Sequence, residues 1–386
     1  MPMIYFDHAA TTPMHPEAIK AYAEEAAKGP RNPSSLHAEG RAARAALTAS
    51  RDSIARLLGC DPGELVFTGG GTESDNAALY GAAHAQRQRT GRDRIVTSAI
   101  EHHAVLNACS KLEAEGFKLT VLPVDGTGRV LLSAAEEAIG PDTAVVSVMY
   151  GNNEVGTLQP IEEIGRLARE RGAVMHVDAV QAFGHERLFL QELPIDLLSL
   201  SAHKIGGPQG VGVLYVRRGT PFEPTAVGGS QEKSRRAGTE NVAGIAAFAK
   251  AAELAYADLE ERGRELERIR SKLLSALEEE LGADSFRING ATEEGARLPH
   301  IVNLSFPGIS NETMLMNLDL AGVAASAGSA CTAGSLQPSH VLLAMGLETH
   351  FSQSAIRFSF GMGNNSAEAE KTAKIIATIT KRLRKR

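Results

Sequence analysis

The chain has 386 residues, 43% of them hydrophobic and 22% charged, with a formal net charge of −6. Such a length and balance suit a globular protein with a large core spread over two domains, and they exclude a wholly disordered chain. The negative net charge gives no overall attraction to nucleic acid or to an anionic membrane, so neither is expected as a direct partner.

The opening MPMIYFDHAATTP has no basic stretch followed by an apolar one, and no run approaches the length that spans a bilayer, so the expected location is the cytoplasm. Three cysteines, at 60, 109 and 331, are odd in number and form no CxxC pair. That argues against a disulfide framework and against a zinc site, and no metal is expected. From about residue 60 to 217 short β-rich runs alternate with helical patterns: ELVFTGG, DRIVTSAI, FKLTVLPV, TAVVSVMYG, AVMHVD, DLLSLSAH and GVGVLYVRR. This is the pattern of βαβ units, and several runs are apolar throughout, as strands covered on both faces should be. Between them PIEEIGRLARERG places Pro160 in a first helical turn and closes at Gly172. Residues 241–281 read as one or two long helices, with a domain boundary near residue 258. Beyond it HIVNLSF and AIRFSFG are strand candidates, and helices are expected after Ser310 and Asn365, the second with an Asn365–Glu368 capping box. The tail KRLRKR, residues 381–386, reads as cations at the negative end of a helix or as a docking surface for an acidic partner.

Open α/β sheets bind ligands beyond the carboxyl ends of their strands, so polar residues just after each strand are the candidates. In VFTGGGTESDN, Gly71 allows close backbone approach and a helix starting at Thr72 offers N–H groups to a phosphate; a plain strand-to-helix turn is the rival reading. EHHAVL supplies His102, for the face of a planar cofactor or the cap of a helix, while His103 is expected on the polar surface. YGNNEVG puts Asn153 after a strand, to bind a ligand or to turn the chain. Asp178 ends an apolar strand in AVMHVDAVQ, where a carboxylate needs a protonated ring nitrogen or an arginine beside it, and Gln181 follows three residues on. In DLLSLSAHKIGGPQG, Lys204 leaves a buried strand beside Ser201 and His203. A lysine in a dehydrated site loses pKa and forms Schiff bases, whereas an isolated lysine ordinarily reaches solvent. Arg357 lies in the strand pattern SAIRFSFG, as a carboxylate clamp or as half of a cross-strand salt bridge. Cys331 sits in SAGSACTAG among residues too small to pack against it, which suits a reactive thiol, while Cys60 and Cys109 read as structural. A phosphate turn, an acid for a ring nitrogen, a histidine for stacking and a strand-end lysine together describe a site for pyridoxal 5'-phosphate.

Ten stretches in order, YFDHAATTP, NPSSLHAEGR, FTGGGTESDN, EHHAVL, NNEVGTLQPI, HVDAVQ, SAHKIGGPQG, RRAGTENVAG, SAGSACTAGSLQPSHVLLAMG and IRFSFG, resemble the cysteine desulfurases of the NifS and IscS type. These are class V aminotransferase-group enzymes with the pyridoxal phosphate-dependent transferase fold type I. The resemblance implies an α/β fold: a large domain, residues 14–258, with a mostly parallel seven-stranded sheet flanked by helices, and a smaller α+β domain from 1–13 and 259–386. It implies L-cysteine as substrate, a persulfide on Cys331, alanine as product and a sulfur-acceptor protein such as an iron–sulfur scaffold. By the same resemblance Lys204 is the Schiff-base lysine, Asp178 the partner of the pyridine nitrogen, Gln181 a contact of the ring hydroxyl, and His102 the stacking and proton-transfer residue. Gly71, Thr72, Ser201 and His203 surround the phosphate, joined by Thr239 from the second subunit of a homodimer, and Arg357 and Asn153 hold the substrate carboxylate. Part of residues 326–336 is expected to be mobile, so that a persulfide can reach its acceptor. The chain departs from the family pattern at MGNNSAEAE after RFSFG, where an arginine and a Thr-rich turn are common, and at Lys233 and Ser234, where an Arg-Gly pair is frequent. Two alternatives stand beside this reading. One is a selenocysteine lyase or another class V pyridoxal phosphate enzyme; a transaminase in that group would have no use for Cys331. The other is a non-enzymatic assembly partner with the same fold, against which Lys204 argues.

Overall fold

The computed structural model describes residues 3–328 and 338–384. Its strands, in chain order, are β1 (Ile4–Tyr5), β2 (Leu65–Thr68), β3 (Arg94–Ser98), β4 (Lys118–Leu122), β5 (Thr143–Ser147), β6 (Val174–Asp178), β7 (Leu197–Ser201), β8 (Gly212–Val216), β9 (Arg287–Asn289), β10 (Ile301–Ser305), β11 (Val323–Ala324) and β12 (Ala355–Ser359). Seven of them form one sheet in the order β2-β8-β7-β6-β5-β3-β4, parallel except that β8 runs against both its neighbours. The seven β-rich runs of the sequence are these seven strands. Strands β5 to β8 are buried at every position, because helices cover both faces.

The period of two along a strand decides what each face carries. Met175 and Val177 of β6, with Leu198 and Leu200 of β7, enter the larger apolar cluster on one side. The alternate residues, His176 and Asp178 of β6 and Ser199 and Ser201 of β7, therefore share the other side. Over that side lies the helix Gly71–Thr90, whose Ala78, Ala82 and Ala83 are small enough to let it approach closely and pack against Val66, Ile95 and Leu214. The polar ends of β6 and β7 thus meet the start of this helix.

A second core joins Ile4 and Phe6 to the helices Leu259–Leu281 and Ser366–Arg384 and to the antiparallel sheet β12-β10-β9. The N-terminal segment bridges the two cores, with Phe6 in one and Ala9 in the other. Residues 241–281 form two helices, Val242–Ala257 and Leu259–Leu281, meeting at Asp258. Helix Asn311–Leu320 is capped by Ser310, and Asn365 and Glu368 exchange the reciprocal bonds of a capping box. Pro160 occupies the capping position rather than the first turn, one residue outside the helix Ile161–Arg171, which Gly172 closes in a left-handed conformation. Strands β1, β9 and β11 carry no sequence signal of their own. Among the described residues no helix is long and apolar enough to cross a membrane. The described part of the basic tail docks on the chain itself, Lys381 against Glu280 and Arg384 against the carbonyls of Ser285 and Pro307.

Candidate active site

A cavity of about 220 Å³ lies at the carboxyl ends of β6 and β7, closed on one side by Ala9 and Ala10 of the N-terminal segment. Lys204 ends the short 3-10 turn that follows β7, and its Nζ donates to the carbonyls of Ala9 at 2.7 Å and Ala10 at 2.8 Å. Asp178, the last residue of β6, lines the same cavity and accepts a hydrogen bond from the Val180 N–H at 2.9 Å. Among the described residues no arginine pairs with it. Burial raises its pKa to about 6, against the Val180 hydrogen bond and the positive charge of Lys204, which lower it.

A second carboxyl, Asp75, lines the cavity as well, and its sequence position drew no attention. It lies four residues into the helix after Gly71, hence on the same face, which is the one signal that pointed to it. Burial first, and then the charge of Asp178, push its pKa well above the usual carboxylate range, so of the two acids Asp75 keeps the proton. Behind it His176 bridges Ser147 and Ser199, with Nδ1 2.8 Å from Ser147 Oγ and Nε2 3.0 Å from Ser199 Oγ. Burial holds that ring neutral, its pKa lowered to about 3. Nε2 also lies 3.6 Å from Asp75 Oδ1, but the ring is neutral, so among the described residues no cation stands behind the acids.

His102 serves both readings at once: it caps the helix His103–Ala114 through a 3.1 Å bond from the Ala104 N–H to Nδ1, and it lines the cavity. Since Nδ1 accepts, the neutral ring carries its proton on Nε2. Burial, then the charge of Lys204, lowers its pKa to about 4, and the same causes lower His203 to about 4. His103 is half-buried rather than on the open surface, its ring 4.7 Å from that of His340.

Gly71, Thr72, Ser201 and His203 all line the cavity, and Gly71 lies against Ser201. The helix there begins after Gly70, which has φ 145° and no capping side chain. A Cβ at Gly71 would stand 2.7 Å from Val180 Cγ2, so only glycine lets the first turn come this close. The helix is instead braced from outside: Glu73 accepts from the Gly69 N–H at 2.7 Å and pairs with Arg236 at 2.8 Å.

Arg357, on β12, also lines the cavity and is buried, with one amino group on the Asn153 carbonyl at 2.8 Å and the other on Asp7 Oδ1 at 3.0 Å. The ion pair is to the N-terminal segment, not across the strands. Among the described residues its Nε has no partner. Of the residues singled out in the sequence, Gly71, Thr72, His102, Asn153, Asp178, Gln181, Ser201, His203, Lys204 and Arg357 all line this cavity. Thr239 is exposed and does not line it within one chain. Cys331 and most of the segment expected to be mobile lie outside the described residues; Ser326, at its start, donates to Asp7 Oδ2 at 2.9 Å. Cys60 and Cys109 have their thiols pushed up to about 12, chiefly by burial, and lie away from the cavity.

The family profile described as aminotransferase class-V matches residues 4–371. The chain belongs to the aminotransferase class-V family. Within it, the chain is 47% identical over 384 residues to the putative cysteine desulfurase IscS 1 of Bacillus subtilis (strain 168), covering 99% of this chain and 100% of that one. It is 43% identical to the cysteine desulfurase IscS of Methanosarcina thermophila over 99% of this chain and 93% of that protein. Among solved structures, one described as a NifS-like protein superimposes with a TM-score of 0.89 at 36% identity, covering 98% of this chain and 99% of the other. These likenesses extend over the whole class V chain, both cores included.

Class V enzymes of this kind depend on pyridoxal 5'-phosphate, and the residues present fit that group. A helix start without a side-chain cap, approached through a glycine that tolerates no Cβ, suits a phosphate. The acid pair without a cation behind it suits a basic ring nitrogen.

Proposed function

We infer that this chain is a cysteine desulfurase, which takes the sulfur of L-cysteine, releases L-alanine and carries the sulfur as a persulfide on Cys331. One observation carries the reading: the Lys204 amine and the Asp178 carboxylate open into a single cavity from the ends of adjacent strands. The cofactor supplies an electron sink that makes the substrate Cα–H acidic and its C–S bond labile. In this reading Asp178 holds the ring nitrogen in its protonated form, and Gly71, Thr72, Ser201 and His203 hold the phosphate. Arg357 and Asn153 would take the substrate carboxylate and orient the substrate. Lys204 would hold the cofactor aldehyde and move the proton at the substrate Cα, while His102, with its proton on Nε2, would serve as proton donor. The thiolate of Cys331 would then attack the substrate sulfur: the S–S bond forms as the substrate's C–S bond breaks, and the electron pair of that bond stays on the substrate carbon, which takes up a proton on the way to alanine.

The same reading proposes a homodimer in which Thr239 reaches the neighbouring chain's phosphate, a cytoplasmic location, and an iron–sulfur scaffold as the acceptor. It also divides the chain near Asp258, with residues 14–258 as the cofactor-binding domain and 1–13 with 259–386 as the smaller one. Incubation of the purified protein with pyridoxal 5'-phosphate and L-cysteine tests it, with alanine and sulfide as readouts. Lys204→Ala should abolish both, and Cys331→Ala should abolish sulfur transfer. Sulfur release that survives loss of Cys331 would favour the lyase alternative.

A further inference from the structure

His300 immediately precedes β10 and is buried, only 1% exposed. Its Nε2 lies 3.2 Å from Gln181 Oε1, and Gln181 Nε2 donates to the Ala9 carbonyl at 2.9 Å. A carbonyl oxygen only accepts, so the amide nitrogen of Gln181 has to face Ala9 and its oxygen has to face His300. The amide oxygen also only accepts. The proton of His300 is thereby assigned to Nε2, which leaves Nδ1 bare, and among the described residues Nδ1 has no partner. The bare side belongs to a ring stacked on His185, with centroids 3.7 Å apart and planes 14° apart. Burial first, and then the positive charges of Arg262 and Arg357, keep the His300 ring neutral; His185 is likewise held neutral by burial and then by Arg262. The Ala9 carbonyl meanwhile accepts a second bond, from Lys204 Nζ.

A carboxamide has two N–H bonds, and Ala9 takes one of those of Gln181. Gln181 lines the cavity, so the other is offered to whatever the cavity holds. We propose that His300 is a positioning residue whose Nε2–H locks the Gln181 amide, so that Gln181 presents a fixed N–H donor, and never an acceptor, to the oxygen on the cofactor ring. The inference rests on the reading of this cavity as a pyridoxal phosphate site. A fixed donor favours the anionic form of that oxygen, and an amide free to turn loses the preference.

Two measurements test it. In the holoenzyme the absorbance of the bound cofactor is titrated with pH. His300→Leu should move the midpoint upward by roughly half to one unit, about three- to tenfold in proton affinity. His300→Gln, whose Nε2 stands where the imidazole Nε2 stood, should restore it. His185→Leu removes the stacked ring but keeps the donor and should leave the midpoint in place. An unmoved midpoint in His300→Leu, or an equal shift in His185→Leu, overturns the proposal. In the wild-type protein without cofactor, nitrogen NMR of His300 should show the Nε2–H tautomer; the Nδ1–H tautomer overturns the proposal independently of any variant's folding. Absence of any cofactor band in the wild-type protein would instead count against the proposed function, and the tautomer would then decide the His300–Gln181 bond alone.

Discussion

Glu101 is a carboxylic acid with no room for its charge. It is fully buried; Oε1 accepts from Ser98 Oγ and from the Met149 N–H at 2.9 Å, and Oε2 has no partner among the described residues. Burial lifts its pKa to about 8 against those two hydrogen bonds, and the charge of Asp178 lifts it further. The folded chain therefore holds a proton there through neutral pH, while the unfolded chain releases it near about 4.3. Since the folded state binds more protons between those values, Glu101 makes stability fall as pH rises from about 4 towards 8. Glu101→Gln cannot ionise, so it should flatten that fall and exceed wild-type stability at pH 8 by roughly 1–3 kcal/mol, part of the gain being lost to an amide N–H₂ at the unpartnered oxygen. Urea denaturation at pH 5 and pH 8 checks this; parallel pH dependence in the two proteins would refute it. Glu101 and Asp75 escaped the sequence reading for one reason: an acid in a helix or turn is solvent-facing by default, and only the tertiary fold reveals that it is not. Lys204, Asp178 and His102 were legible because the strand before each is apolar and ends abruptly in a polar group.

At the scale of elements, the turn Gln231–Ser234 carries the clearest backbone strain among the described residues. Glu232, Lys233 and Ser234 have φ of 46°, 58° and 62°, three successive non-glycine residues in the left-handed region. What holds the turn is Glu232, whose carboxylate takes two bonds from Arg51 and a third from the Phe67 N–H at 2.9 Å. Ser234 is exposed, and it stands at the second position of the pair where the family commonly has Arg-Gly. Replacing it with glycine removes about 1 kcal/mol of strain and returns about half of that as unfolded-state entropy. Ser234→Gly should therefore raise the melting temperature by about one degree, while Ser234→Ala, which keeps the Cβ, should not. An equal response to both substitutions would place the strain elsewhere. The departure from the family pattern was visible in the sequence; its cost was not, because backbone angles come from the anchoring of Glu232 to residues far away in the chain. The same contrast separates the strands. Those of the large sheet announce themselves as apolar runs, whereas two-residue β1 and β11 exist only because the N-terminal segment is laid beside residue 323 by the packing of Ile4 and Phe6.

For the whole molecule, the open matter is whether one chain completes a site. Thr239 is exposed and absent from its own chain's cavity, yet its loop is tied through Arg236 to Glu73, on the helix that carries Thr72. A loop so placed is suited to reach across a twofold axis, where each copy gives what it receives. Lys204→Ala and Thr239→Asp then break different halves of different sites. Each homodimer should be inactive, the first for want of the amine and the second for the negative charge it brings to the phosphate. Random co-assembly makes about half of the dimers mixed, and each mixed dimer contains one site with both native residues, so activity should return to about a quarter of wild type. If Thr239 served its own chain, every site in the mixture would stay broken and no activity would return. An active Thr239→Asp homodimer would remove Thr239 from the site altogether.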